Sequence, residues 1–308
     1  AEVMYDLQNY KELDRGYKKT AKISIALFVA VVVLFITFLS SAVSFKVKAN
    51  TIQKENYKHF ITEATSAPDD LTAVDMYTKA ILMEPENKQA YMDLLNNLFL
   101  VDENLTEAEA QQLRTILITP TKDGTVEECL ARNKEAYAEF SYKLGVAYFY
   151  CYEGVGNKHF SNKWFNIAAS SGTLSNAQKE RAERLGKIAG YYDTMDYQSG
   201  SGDLKVDPRE YWDDLVSAAD GDIAAVDNET TALIIYKEVG IQIFNRADKF
   251  LKSGVSYDEM SNEINYILKN IDQIVNNYEL TDRTRDLVNA NQRQFAQAKT
   301  ALDTAAGK

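Results

Sequence analysis

Histidine is almost missing from this 308-residue chain, which holds only His59 and His159. Neither stands in an HExxH pattern or beside a carboxylate at ligand spacing, so surface or packing roles are expected and no metal site is read. Cysteine is equally scarce. Cys129 and Cys151 lie 22 residues apart, in no CxxC and beside no histidine, which argues against a thiol nucleophile and leaves a disulfide and two thiols both open. Glycines form no phosphate cradle, because Gly200 and Gly202 in QSGSGD lack the following Lys-Ser/Thr. Asp220, Asp222 and Asp227 lack the glycine and closing glutamate of a calcium loop. No catalytic set emerges, so the chain is expected to be non-enzymatic and to need no cofactor.

Positive charge is also in deficit. Lys and Arg number 34 against 45 Asp and Glu, a net of −11. The first 45 residues hold five of those cations and four of the acids, so the remainder carries 29 against 41. An acidic body of this kind argues against nucleic acid as a partner and against lying flat on anionic lipid. Proline is limited to four residues and no stretch alternates as a strand, which leaves an all-α body.

What the chain does have is a long uncharged run. ISIALFVAVVVLFITFLSSAVSF, residues 23–45, lies between Lys22 and Lys46. At about 1.5 Å per helical residue it matches a bilayer core of about 30 Å, so it reads as a transmembrane helix. It is longer than a signal-peptide core, and the arm before it is too mixed in charge for one. Residues 1–22 then read as a juxtamembrane cytoplasmic arm. Lys11, Arg15, Lys18, Lys19 and Lys22 before the run slightly outnumber Lys46, Lys48, Lys54 and Lys58 after it. The positive-inside rule accordingly places the N-terminus in the cytoplasm and the large C-terminal part outside the cell membrane.

The next signal is a repeat. From Lys54 to Asn87, a length of 34 residues, Ala73, Tyr77, Ala80 and Pro85 fall where a helix pair closes, with Tyr57, Phe60 and Ala64 in the helix before. Small Ala73 and Ala80 let two helices approach, Tyr77 fills the space between units, and Pro85 turns the chain. This pattern resembles the tetratricopeptide family. Further helices follow at 88–100, at NLTEAEAQQLRTIL with a capping box at Thr106 and Glu109, and in EAYAEFSYKLGVAYFYCYEG and SNKWFNIAASSG, where Ser161, Phe165 and Ala168 take closing positions. The resemblance implies a TPR-like α-solenoid over residues 46–228, with 229–308 as a C-terminal helical region capping it.

In such arrays the inner groove is lined by the first helix of each unit. Carried onto this sequence, the partner-binding positions are Glu55, Lys58, Thr62 and Thr65, then Gln89, Met92 and Asn96. Tyr142, Tyr148, Tyr150 and Tyr152 form an aromatic cluster that reads as core rather than as a peptide platform. The layout of arm, apolar run and repeat also resembles the transmembrane and extracellular tail of Gram-positive serine/threonine receptor kinases, although no phosphate loop, HRD or DFG is present. The expected function is a membrane-anchored sensor or interaction module for a protein or envelope ligand. The alternative is a structural or assembly subunit of an envelope complex, with homo-oligomer and multi-subunit states both open.

Overall fold

A computed structural model describes residues 47–153, 156–193, 204, 206–224 and 229–308. The chain divides into two compact units, residues 1–59 and 60–308. The described residues of the first, 47–59, are helical, and the second opens with helical residues 60–65, labelled α1. The expected juxtamembrane arm and the apolar run 23–45 lie outside the described residues.

The second unit is built from helices α2 (Asp70–Met83), α3 (Lys88–Leu94), α4 (Glu107–Ile118), α5 (Val126–Arg132), α6 (Lys134–Val146), α7 (Lys158–Ser170), α8 (Asn176–Asp193), α9 (Pro208–Ala224), α10 (Glu229–Lys252), α11 (Tyr257–Asn277) and α12 (Asp282–Ala306). Local chemistry sets their ends. Asp69 caps α2 by accepting the Thr72 amide at 2.8 Å. Thr106, Thr125 and Ser256 open α4, α5 and α11 with full capping boxes, closed by Glu109, Glu128 and Glu259. Gly307, at φ 69°, ends α12 in the left-handed conformation that glycine adopts freely.

Two helices end in a wider π turn, α3 over Leu95–Phe99 and α6 over Ala147–Cys151. The second matters for packing, because it turns Ala147, Tyr148, Phe149 and Tyr150 all inward. Tyr152 is buried too, so Tyr148, Tyr150 and Tyr152 are core residues as the sequence indicates. One small departure from pure helix occurs where Pro120 and Asp123-Gly124 interrupt the chain: Pro120–Thr121 (β1) pairs antiparallel with Gly124–Thr125 (β2).

From α6 to α10 each helix packs on its successor, and the most extensive contact is α10 against α12, with α11 beside both. One hydrophobic cluster runs from Phe149 and Phe165 through Tyr211, Tyr236 and Phe250 to Phe295 and Leu302. On α11, Met260, Ile264, Ile267, Ile271 and Ile274 form its buried stripe at helical spacing. Cys129 is buried, Cys151 is half-buried, and both are free thiols.

The membrane expectation is corrected. Among the described residues no helix is long and apolar enough to cross a membrane. The longest, α10, α11 and α12, have 24, 21 and 25 residues, but each is amphipathic: α10 alone carries Lys237, Glu238, Arg246, Asp248, Lys249 and Lys252. Such helices bury one face against protein and give the other to water. The expected fold of a transmembrane helix followed by a solenoid therefore becomes an all-α fold. The single-pass localisation, with a cytoplasmic N-terminus and an extracytoplasmic C-terminal domain, has no support.

Candidate interaction groove

The α3–α4 and α6–α7 connections are tied together by a short parallel bridge, in which the Leu105 amide donates to Cys151 at 3.0 Å and the Glu153 amide donates to Leu105 at 2.8 Å. That tie holds the start of α4 beside the end of α6. The result is a groove of about 710 Å³ with α4 as one wall, α7 as the other, and Leu144 and Tyr148 of α6 between them. Leu113 and Leu117 line it from α4, Phe160 and Trp164 from α7. Ile118 is 68% exposed and Phe160 38%, so the apolar surface is open to solvent.

Phe160 is fixed edge-on against two rings, with centroids 5.7 Å from Tyr148 and 5.6 Å from Tyr152. Two cations border the apolar surface. Arg114 pairs with Glu107 at 2.6 Å and stands 6.0 Å from the Phe160 ring centre. Lys163 pairs with Glu127 at 2.7 Å and stands 4.3 Å from the Trp164 ring centre. Each acid has a second donor, a tyrosine hydroxyl: Tyr152 donates to Glu107, and Tyr137 donates to Glu127 at 2.8 Å. Burial, then the Glu127 carboxylate, pushes the Tyr137 hydroxyl above its ordinary pKa, so it stays a donor.

A second hollow of about 680 Å³ lies between α9 and α11, lined by Arg209, Trp212, Asp213, Asp220, Glu259, Glu263 and Tyr266 among others. Its arginine is engaged by Asp213 at 3.2 Å and Glu259 at 3.0 Å. Among the described residues no group of three His, Cys, Asp or Glu is placed to hold a metal ion.

The positions expected to bind a partner fall elsewhere. Glu55 and Lys58 are exposed in the first unit. In the second unit Thr62, Thr65, Gln89 and Asn96 are exposed and Met92 is half-buried. Thr65 bonds back to the Ile61 carbonyl at 2.8 Å, and Gln89 donates to Asp93 at 2.8 Å. None of these five lines either hollow. The residues that do were missed, although α7 carried a sign of them. Phe160 and Trp164, at i, i+4, lie one residue before the buried Ser161 and Phe165, so the apolar face of the helix is widened and leaves Phe160 at its exposed edge.

Compared with known protein families, with curated proteins and with solved structures, the chain matches none.

Proposed function

We propose that this protein is a non-catalytic interaction module whose helical pairs, tetratricopeptide-like in their succession, present a docking groove for a segment of a protein partner. One observation carries the proposal: the open apolar groove between α4 and α7, where Ile118 and Phe160 stay exposed beside an otherwise buried set of Leu113, Leu117, Leu144 and Tyr148. Burying a large apolar side chain contributes about 1.5–3 kcal/mol, so two such anchors dominate a small interface. At 710 Å³ the groove holds a short segment, roughly six residues of helix.

The test is selection of peptides on the full chain from a random library, followed by titration calorimetry. Ile118→Asp and Phe160→Ala are each expected to weaken the selected peptides at least about tenfold, with the circular dichroism spectrum unchanged. Peptides that bind Ile118→Asp as tightly as the wild type would remove the groove from consideration.

A further inference from the structure

Resting on the docking proposal, we infer that the segment seated between α4 and α7 is an amphipathic helix with carboxylates beside its apolar face. The mode follows from what the groove offers. Both walls are helices, and the two-residue pair β1–β2 is the only sheet among the described residues, so a strand finds no edge to extend. An apolar helix face laid between two helical walls is the geometry left.

The sign of the charge follows from the lining. In a chain of net −11, the groove is lined by Arg114 and Lys163 with one acid, Glu127, and by His159. The two cations stand on opposite walls, each beside an aromatic ring at the edge of the apolar surface. Both are now paired within the chain, through ion pairs that are substantially open to solvent. Pairs of that exposure contribute about 0–1 kcal/mol, so exchanging one for a partner's carboxylate costs little. Exchange also leaves neither acid bare, because Glu107 keeps the Tyr152 hydroxyl and Glu127 keeps that of Tyr137. As the partner covers Ile118 and Phe160, water leaves the new pairs and their charge counts for more. A basic helix meets two cations at the lips and would have to draw Glu107 and Glu127 away from them, leaving Arg114 and Lys163 beside its own charges with no second acid among the described residues pairing either.

Three synthetic helical peptides test this on the full chain by fluorescence anisotropy: one with an apolar i, i+3, i+4, i+7 face flanked by Glu, one with the same face flanked by Lys, and one Glu-flanked with Ser at the apolar positions. The Glu-flanked apolar peptide is expected to bind at least about tenfold tighter than the Lys-flanked one. In Arg114→Gln/Lys163→Gln that preference should fall to about twofold or less, while Ile118→Asp loses both apolar peptides. Lys163→Glu, at an exposed position, provides a reversal of charge should the double variant unfold. If the Lys-flanked peptide binds the wild type as well as the Glu-flanked one and Ile118→Asp loses both, the acidic inference is wrong and the docking proposal stands. Persistence of the Glu preference in the double variant also overturns the inference. If no apolar peptide binds, or if the Ser-substituted peptide binds as well as its parent, the docking proposal falls with it.

Discussion

The ammonium of Lys158 on α7 lies 2.5 Å from the carboxylate of Glu238 on α10, and only 7% and 10% of the two side chains remain exposed. The pair is the centre of a buried polar chain. Tyr192 donates to Glu238 at 2.9 Å, Gln242 donates to Glu238 at 3.1 Å and to the Tyr192 hydroxyl at 2.5 Å, and the Tyr211 hydroxyl meets that of Tyr192 at 3.2 Å. Lys158 also stands 4.7 Å from the centre of the Phe149 ring. Burial drives the Glu238 carboxyl upward, but the charge and hydrogen bond of Lys158, with Tyr192 and Gln242, outweigh it and hold its pKa below the ordinary value. Its stabilising contribution is therefore full above the ordinary carboxylate range and is lost as pH falls through the depressed value.

Removing one partner strands the other in the core. Lys158→Met is expected to cost about 3–5 kcal/mol, whereas Lys158→Met/Glu238→Leu should recover most of that, since a buried pair contributes little net stability over well-packed apolar residues. Urea denaturation of the three proteins checks this. A double variant no more stable than Lys158→Met would show that the surrounding Tyr192 and Gln242, rather than the pair, set the cost.

Two helical glycines, Gly145 on α6 and Gly190 on α8, leave different amounts of space around them. A Cβ at Gly145 on α6 would lie 2.8 and 2.9 Å from the Phe165 ring, inside any real carbon contact, while one at Gly190 on α8 meets nothing within 4 Å. Gly145→Ala is expected to destabilise by about 1–3 kcal/mol through overpacking. Gly190→Ala, in the same fold and with helical backbone, is expected to stabilise by about 0.5–1 kcal/mol, because alanine has less freedom to lose on folding. Thermal melts of the two variants should move in opposite directions, and a stabilising Gly145→Ala would refute the close α6–α7 approach.

What the sequence carried and what it hid divide along contact range. Helix starts were readable because a capping box spans three residues, as at Thr106 and Glu109, and the buried Ala73, Tyr77 and Ala80 of α2 follow from helical spacing alone. The Lys158–Glu238 pair was invisible, since its members are 80 residues apart and each looks like an ordinary helix-surface charge. The α4–α7 groove is hidden from the sequence for the same reason. Its walls, α4 and α7, are brought together by the Leu105–Tyr152 bridge, which no local pattern announces. The resemblance pointed instead to Thr62, Thr65, Gln89, Met92 and Asn96, none of which borders it. The C-terminal helices showed strong periodicity without a register, and the reason is that α10 packs chiefly on α12, skipping the helix between.

The cap on α4 supports one wall of the groove, so its loss is measurable twice. Thr106 accepts from the Glu109 amide at 3.3 Å, and Glu109 accepts the Thr106 amide at 2.8 Å. Thr106→Ala is expected to cost about 1 kcal/mol, seen as a lower denaturant midpoint with an unchanged slope. Hydrogen exchange should quicken first at the leading amides of α4, whose donors lose their acceptor. Uniform quickening across α4 to α7 would mean that the cap acts on the whole unit.

Glu263, in the α9–α11 cleft, makes stability depend on pH in the direction opposite to Glu238. Its Oε1 is shut off from water and has no hydrogen-bond partner. Burial first, and the charge of Asp220 second, push its carboxyl from 4.5 up to about 7. A carboxyl with a raised folded pKa binds more protons folded than unfolded, so its favourable contribution is full below 4.5 and disappears as pH rises through 7. The whole shift corresponds to about 3 kcal/mol, and partial solvent access reduces the expected effect to about 1–2 kcal/mol. Wild-type stability should thus decline across that window, where Glu263→Gln should be nearly flat in this contribution and more stable at pH 8. Asp220→Asn removes the neighbouring charge and should shift the decline to lower pH without abolishing it, which separates the Coulomb effect from burial. Denaturation midpoints measured from pH 4 to 8 decide it: if Glu263→Gln keeps the wild-type slope, the proton resides on another group.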